Sequence, residues 1–172
     1  MENLIQSENY KIQKPAEWAT NTNDSQLIEY IKESDFASKQ IDEGRDYCYF
    51  LDKIYYTSDE ENSEYACVAY TLNEPANLEN ASVMDVVVEE NETYIIHRIT
   101  VLREGVLVDK IPDTKIKVLD SENQSDGGVL SSNKKINITI KDLRLYDVLI
   151  MEDSRVKVFT ERDFLRKEFS KF

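Results

Sequence analysis

Tyr94–Leu119 reads YIIHRITVLREGVLVDKIPDTKIKVL, and this stretch decides the fold class. Ile, Thr and Val crowd its first ten residues, and such side chains suit a pleated, half-buried backbone. In strict alternation, Ile95, His97, Ile99 and Val101 share one face, and Tyr94, Ile96, Arg98, Thr100 and Leu102 share the other. A strand apolar on both faces is covered on both sides for much of its length. Glu104-Gly105 then forms a tight turn, with glycine free to take positive φ. Val106–Val108 returns as a second strand, and Lys115–Leu119 follows the break at Pro112 as a third.

The same texture extends outward. Upstream, Tyr47–Thr57 (YCYFLDKIYYT) and Tyr65–Leu72 (YACVAYTL) flank the acidic turn SDEENSE and read as a hairpin. Asn73–Asn80 reads as a loop around Pro75, and Val83–Val88 as a further strand. Downstream, Ser121–Asn133 is a polar loop containing Gly127-Gly128. Lys134–Ile140 then alternates, with Ile136, Ile138 and Ile140 inward and Asn137 and Thr139 outward. Asp147–Phe159 is the last β-rich run. Seven or more short strands separated by turn signals predict an all-β protein, an antiparallel β-sandwich in the first place and an open barrel in the second.

The two ends differ from this middle. Residues 1–46 form a polar N-terminal arm with sparse apolar anchors at Tyr10, Ile12, Pro15 and Trp18. Within it, two readings stand side by side: a short helix capped by Asp24 and containing Leu27, Ile28 and Ile31, or an extended arm lying on the domain. Residues 47–172 form the sandwich domain. Its last segment has Thr160 as a helix cap, with Leu165, Phe169 and Phe172 at helical spacing.

With 41% apolar residues, ten Tyr and six Phe, 172 residues suffice for one domain with a real core. No apolar run is long enough for a membrane helix, and MENLIQSENY lacks the features of a secretory signal. The net charge of −13 disfavours phosphate backbones, so neither nucleic acid nor an anionic membrane is an expected partner; the charge reads first as a solubility feature, with a basic protein partner or cation binding as the lesser readings. Cys48 and Cys67 are too few for a disulfide scaffold, although they would pair if their strands were neighbours in an exported protein.

The search for chemistry centres on His97, because any Cys–His nucleophile must use the chain's single histidine. Its apolar neighbours place it on a strand face as a structural residue. The acidic groups at Asp59–Glu64 and Glu89–Glu92 read as solvated turns. Metal sites built on several His or Cys are excluded by count. Around Gly127 a calcium loop would place Asn133 where its closing Glu belongs. No P-loop and no nucleophile elbow occurs. No cofactor is expected.

The order of these segments resembles a bacterial family. DEGRDYCYFLDKIYY, YACVAYTLNEPANLENAS, the Tyr94–Leu119 stretch and INITIKDLRLYDVLI follow the pattern of the domain that stands before transglutaminase-like domains in many bacterial proteins of the Bacteroidetes type. The matching positions are Tyr47–Phe50, Leu72–Glu74, Ala81-Ser82, Ile96-His97, Ile99, Val101, Arg103, Gly105, Asp109, Lys115–Leu119 and Asp142–Asp147. The family's usual glycine in the last of these turns is Tyr146 here. The resemblance implies an all-β sandwich, extracytoplasmic in many members (periplasm or cell surface), with further strands beyond the region matching Val148–Phe159. It also implies an accessory role beside a catalytic domain.

The resulting expectation is a non-catalytic module that binds a protein or peptide. The partner would include a transglutaminase-like domain of a longer parent chain. Phe159, Phe164, Leu165, Phe169 and Phe172 are the expected interaction surface. The alternative is a carbohydrate-binding module that uses Tyr47, Tyr49, Tyr55, Tyr56, Tyr65 and Tyr70 as platforms. A third is a hydrolase with His97 beside Cys48, Cys67 or an acidic pair.

Overall fold

A computed structural model describes residues 9–19, 23–33, 45–120 and 133–160. The chain is mostly β, in two sheets. In order come β1 (Tyr10–Ile12), α1 (Asp24–Glu33), β2 (Cys48–Thr57), β3 (Glu61–Thr71), α2 (Pro75–Ser82), β4 (Val83–Val88), β5 (Glu92–Arg103) and β6 (Val106–Asp109). A single 3-10 turn (Ile111–Asp113) leads to β7 (Thr114–Asp120), β8 (Lys134–Ile140) and β9 (Val148–Val158). The larger sheet runs β1-β5-β9-β3-β2, with β6 also on β5; the smaller runs β4-β8-β7. All pairings are antiparallel except β1 with β5, which is parallel.

The core between the sheets is apolar. Ile96, Ile99, Val101, Leu149 and Met151 meet Ile136, Ile138 and Ile140 there, and Tyr10 of the leader joins them. Burying one such side chain contributes roughly 1.5–3 kcal/mol. The opposite face of the large sheet is covered by the leader: Ala19, Leu27 and Ile31 pack on Tyr65, Cys67, Ala69, Leu102 and Ile150. Leu27 and Ile31 lie one helical turn apart, so one face of α1 meets the sheet.

Several expectations are corrected in detail. The cap of α1 is Asn23, one residue before Asp24. Asn23 Oδ1 accepts the Gln26 amide (2.9 Å), and Gln26 Oε1 accepts the Asn23 amide (3.4 Å), a reciprocal capping box. Residues Pro75–Ser82 are helical, not a loop, because proline is well placed at the start of a helix, where its missing N–H costs nothing. The acidic turn is shorter than expected. Strand β3 begins at Glu61, and the Ser58 hydroxyl accepts the amides of Glu60 and Glu61 to close the bend.

The turn at Glu104-Gly105 has the expected form. Its φ values are 50° and 80°, both left-handed, which matches the right-handed twist of the flanking strands. Tyr146 is also left-handed, at φ 71°, which gives a physical reason for glycine at that point in the family pattern. The aspartates of that turn latch Arg103. Its Nε and Nη2 bond Asp147 Oδ1 and Oδ2 at 2.8 and 2.7 Å, and Nη2 also bonds the Asp142 carbonyl at 2.8 Å.

Candidate functional site

The alternation read from Tyr94–Arg103 breaks at the histidine. The pairing of β5 with β9 slips between Ile96 and Arg98, which makes His97 the extra residue of a bulge. Tyr94, Ile96, Ile99 and Val101 therefore face the inter-sheet core. His97 and Arg98 both turn to the outer face, under the leader. This corrects the expectation that His97 shares a face with Ile99 and Val101. A bulge re-aims side chains, and here it brings two consecutive polar groups together.

Those groups form a half-buried polar floor. His97 Nδ1 lies 2.8 Å from the Gln13 carbonyl, and Nε2 lies 2.8 Å from Ser154 Oγ. A carbonyl only accepts, so Nδ1 carries the proton and Nε2 accepts the Ser154 hydroxyl. Burial holds the imidazole pKa below its ordinary value, which favours this neutral form. Beside it, Arg98 Nε bonds Glu152 Oε2 at 3.0 Å and Arg98 Nη1 bonds Asp24 Oδ1 at 2.6 Å. The Tyr65 hydroxyl donates to Glu152 Oε1 at 2.7 Å. Glu152 and Tyr65 are buried, so the ion pair keeps its hydrogen bonds out of water.

Over this floor lies a cleft of about 760 Å³, lined by Pro15 and Ala16 of the leader on one side and Leu107, Asp109 and Ile111 on the other. A smaller, mostly apolar slot of about 320 Å³ sits at the sandwich end, among Cys48, Tyr70, Leu72, Ala81, Met84 and Leu149.

The expected site residues are scattered. The thiols are free: Cys48 pairs opposite Tyr70 and Cys67 opposite Asp52, so neighbouring strands do not bring them together. Cys67 lies across β9 from β5, roughly 10 Å away at two strand spacings, and Cys48 is farther still. Neither reaches His97. Burial also pushes the Cys67 thiol up to about 12, far from a thiolate. Among the tyrosines, Tyr65 is core, Tyr47 and Tyr70 are half-buried, and Tyr55 and Tyr56 are exposed on opposite faces of β2. Tyr56 stacks on Trp18, with centroids 5.5 Å apart. The side chain of Tyr49 and residues Phe164, Leu165, Phe169 and Phe172 lie outside the described part of the chain. Phe159 is half-buried, and its amide bonds the Glu60 carbonyl at 2.8 Å.

Ser154 and Glu152 are the polar residues that sequence reading missed. They sit 57 and 54 positions from their β5 partners, and no local pattern marks them. Among the described residues no three His, Cys, Asp or Glu cluster to hold a metal, and no helix is long and apolar enough to cross a membrane.

The family model DUF3857, a domain of unknown function with a solved structure, matches residues 58–170. The chain belongs to the DUF3857 family. No curated protein matches it. A candidate protease from Parabacteroides distasonis is similar at 13% identity over 61% of this chain, with TM-score 0.49. This chain spans only 21% of that protein's length. The family 3a carbohydrate-binding module of the cipA scaffolding of Clostridium thermocellum is similar at 11% identity over 69% of this chain and 82% of its own, with TM-score 0.38. A family IIIa cellulose-binding domain (CBD) of Clostridium cellulolyticum has TM-score 0.40 at 11% identity, over 70% of this chain and 80% of its own.

Proposed function

We propose that this DUF3857 chain is a non-catalytic accessory module that binds a protein or peptide partner, in a parent protein beside a transglutaminase-like catalytic domain. The observation that carries this reading is the commitment of every reactive-looking group on the cleft floor. Both nitrogens of His97 are engaged, one by the leader's own backbone. Ser154 is 2% exposed, so a scissile carbonyl has no approach to it. Glu152 is held by Arg98 and Tyr65. These bonds tie residues of the leader and α1 to the sheet; they do not leave a base poised for a substrate.

The partner reading is supported by an open edge. Strand β2 ends the large sheet, with no further strand paired beyond it among the described residues, and runs for ten residues. Such an edge accepts an added strand through its main-chain groups. The net charge of −13 favours a basic partner. The test is selection of a displayed random-peptide library on the immobilised chain. Enriched peptides are expected to be basic and extended, and to protect β2 amides from hydrogen exchange. Failure to enrich any sequence overturns the reading, as does peptide hydrolysis that disappears in His97→Ala.

A further inference from the structure

The cleft contains a group that the polar floor does not use. Thr100 lines it, is 5% exposed, and makes no side-chain hydrogen bond among the described residues. Its hydroxyl is not enclosed by the fold but opens on the cleft, where it can accept or donate a hydrogen bond to an occupant. The walls beside it, Pro15, Ala16, Leu107 and Ile111, are apolar. Four carboxylates border the same space, Glu17, Asp24, Asp109 and Glu152, against two basic groups, Lys14 and Arg98. Arg98 is already committed to Asp24 and Glu152. Asp109 is exposed; its Oδ1 accepts the Ile111 amide at 3.0 Å, and among the described residues its Oδ2 has no hydrogen-bond partner.

A methylene stem, a cationic head and spare N–H donors would satisfy all of these features together. We propose that the cleft receives a lysine or arginine side chain from a partner polypeptide. The stem lies along Leu107 and Ile111, the cation faces Asp109, and Thr100 accepts one N–H. Long basic side chains bury their stems in this way while their heads stay with charge. At about 760 Å³ the cleft exceeds one side chain, so flanking backbone enters as well and a polypeptide fits better than a free amine. This inference rests on the partner-binding reading above and names that partner's chemistry.

The test is titration of the ¹⁵N-labelled full chain with blocked pentapeptides carrying central lysine, arginine or norleucine, and with butylamine. Lysine and arginine peptides are expected to give saturable amide shifts at Thr100, Leu107 and Asp109. Their binding should be at least tenfold tighter than that of the norleucine peptide or butylamine. Asp109→Asn should weaken it fivefold or more, Thr100→Val twofold or more, and the remote control Glu79→Gln not at all. Equal binding of norleucine overturns the proposal, and equal binding of butylamine reassigns the cleft to free amines. Equal weakening by Glu79→Gln reduces the effect to general charge. If the library selects β2-binding peptides while these shifts are absent, the cleft assignment fails and the module reading stands.

Discussion

The two faces of the large sheet are held by different physics. The inner face meets the small sheet through aliphatic side chains such as Ile96, Ile99, Leu149 and Ile138. The outer face meets the leader through a mixed surface, where Leu27 and Ile31 pack beside the Tyr65–Glu152–Arg98–Asp24 and Ser154–His97–Gln13 chains. Apolar contact is non-directional and tolerates small changes of shape. Buried polar chains fix one geometry and are costly when half satisfied. The difference teaches that the inner face, the Tyr94–Asp153 pair apart, needs mainly burial, whereas the leader's position over the cleft needs particular atoms.

The sharpest way to break that comparison is to remove one partner on each side. Glu152→Ala leaves Arg98 and Tyr65 without their buried acceptor and is expected to cost about 3–5 kcal/mol. Ile138→Val on the inner face is expected to cost about 1 kcal/mol. Urea unfolding of both variants measures the contrast, and near-equal losses would erase the distinction between the faces.

Acidity separates the faces by sign. On the inner side Asp153, bonded to the Tyr94 hydroxyl, is raised to about 6, chiefly by burial. A raised carboxyl contributes stability that is complete below its ordinary value near 4 and is lost as pH rises through about 6. On the outer side His97 is lowered by burial, so its contribution is complete above about 6.5 and is lost as pH falls through its folded value. Asp153→Asn should therefore gain on the parent chain between pH 4 and 7, and His97→Asn should gain on it below pH 6.5. Melting curves across that range check both, and variant profiles parallel to the parent's would remove the assignment.

The smallest expected effect lies at the β5–β6 turn, away from both faces. Asparagine tolerates the left-handed backbone that Glu104 adopts, so Glu104→Asn is expected to stabilise by about 0.5–1 kcal/mol. Thermal denaturation reads this directly, and a destabilised variant would mean that the Glu104 side chain contributes more than its backbone costs.

Much of the inner face was legible in the chain. Ile136, Ile138 and Ile140 announce a half-buried strand, and Glu104-Gly105 announces its hairpin, because both signals are local. The bulge at His97 was not legible. β5 is apolar on both sides, so a one-residue slip leaves no visible fault in the alternation. Helix α2 was hidden because Pro75 marks a helix start and a loop equally well. The floor of the cleft was hidden for a third reason: its partners are brought together by strand order. Tyr65 and Glu152 stand 87 positions apart, and His97 and Gln13 stand 84 apart.

By itself, then, the sequence determined the β class, most strand positions, the tight turn after Arg103 and the acidic surface. Side-chain periodicity, backbone preference and charge are properties of short segments and of composition. Only the tertiary structure decided that His97 faces the leader, that both its nitrogens are engaged, and that Thr100 and Asp109 share a cleft. Those facts depend on register and on contacts across the chain, which local preference does not specify.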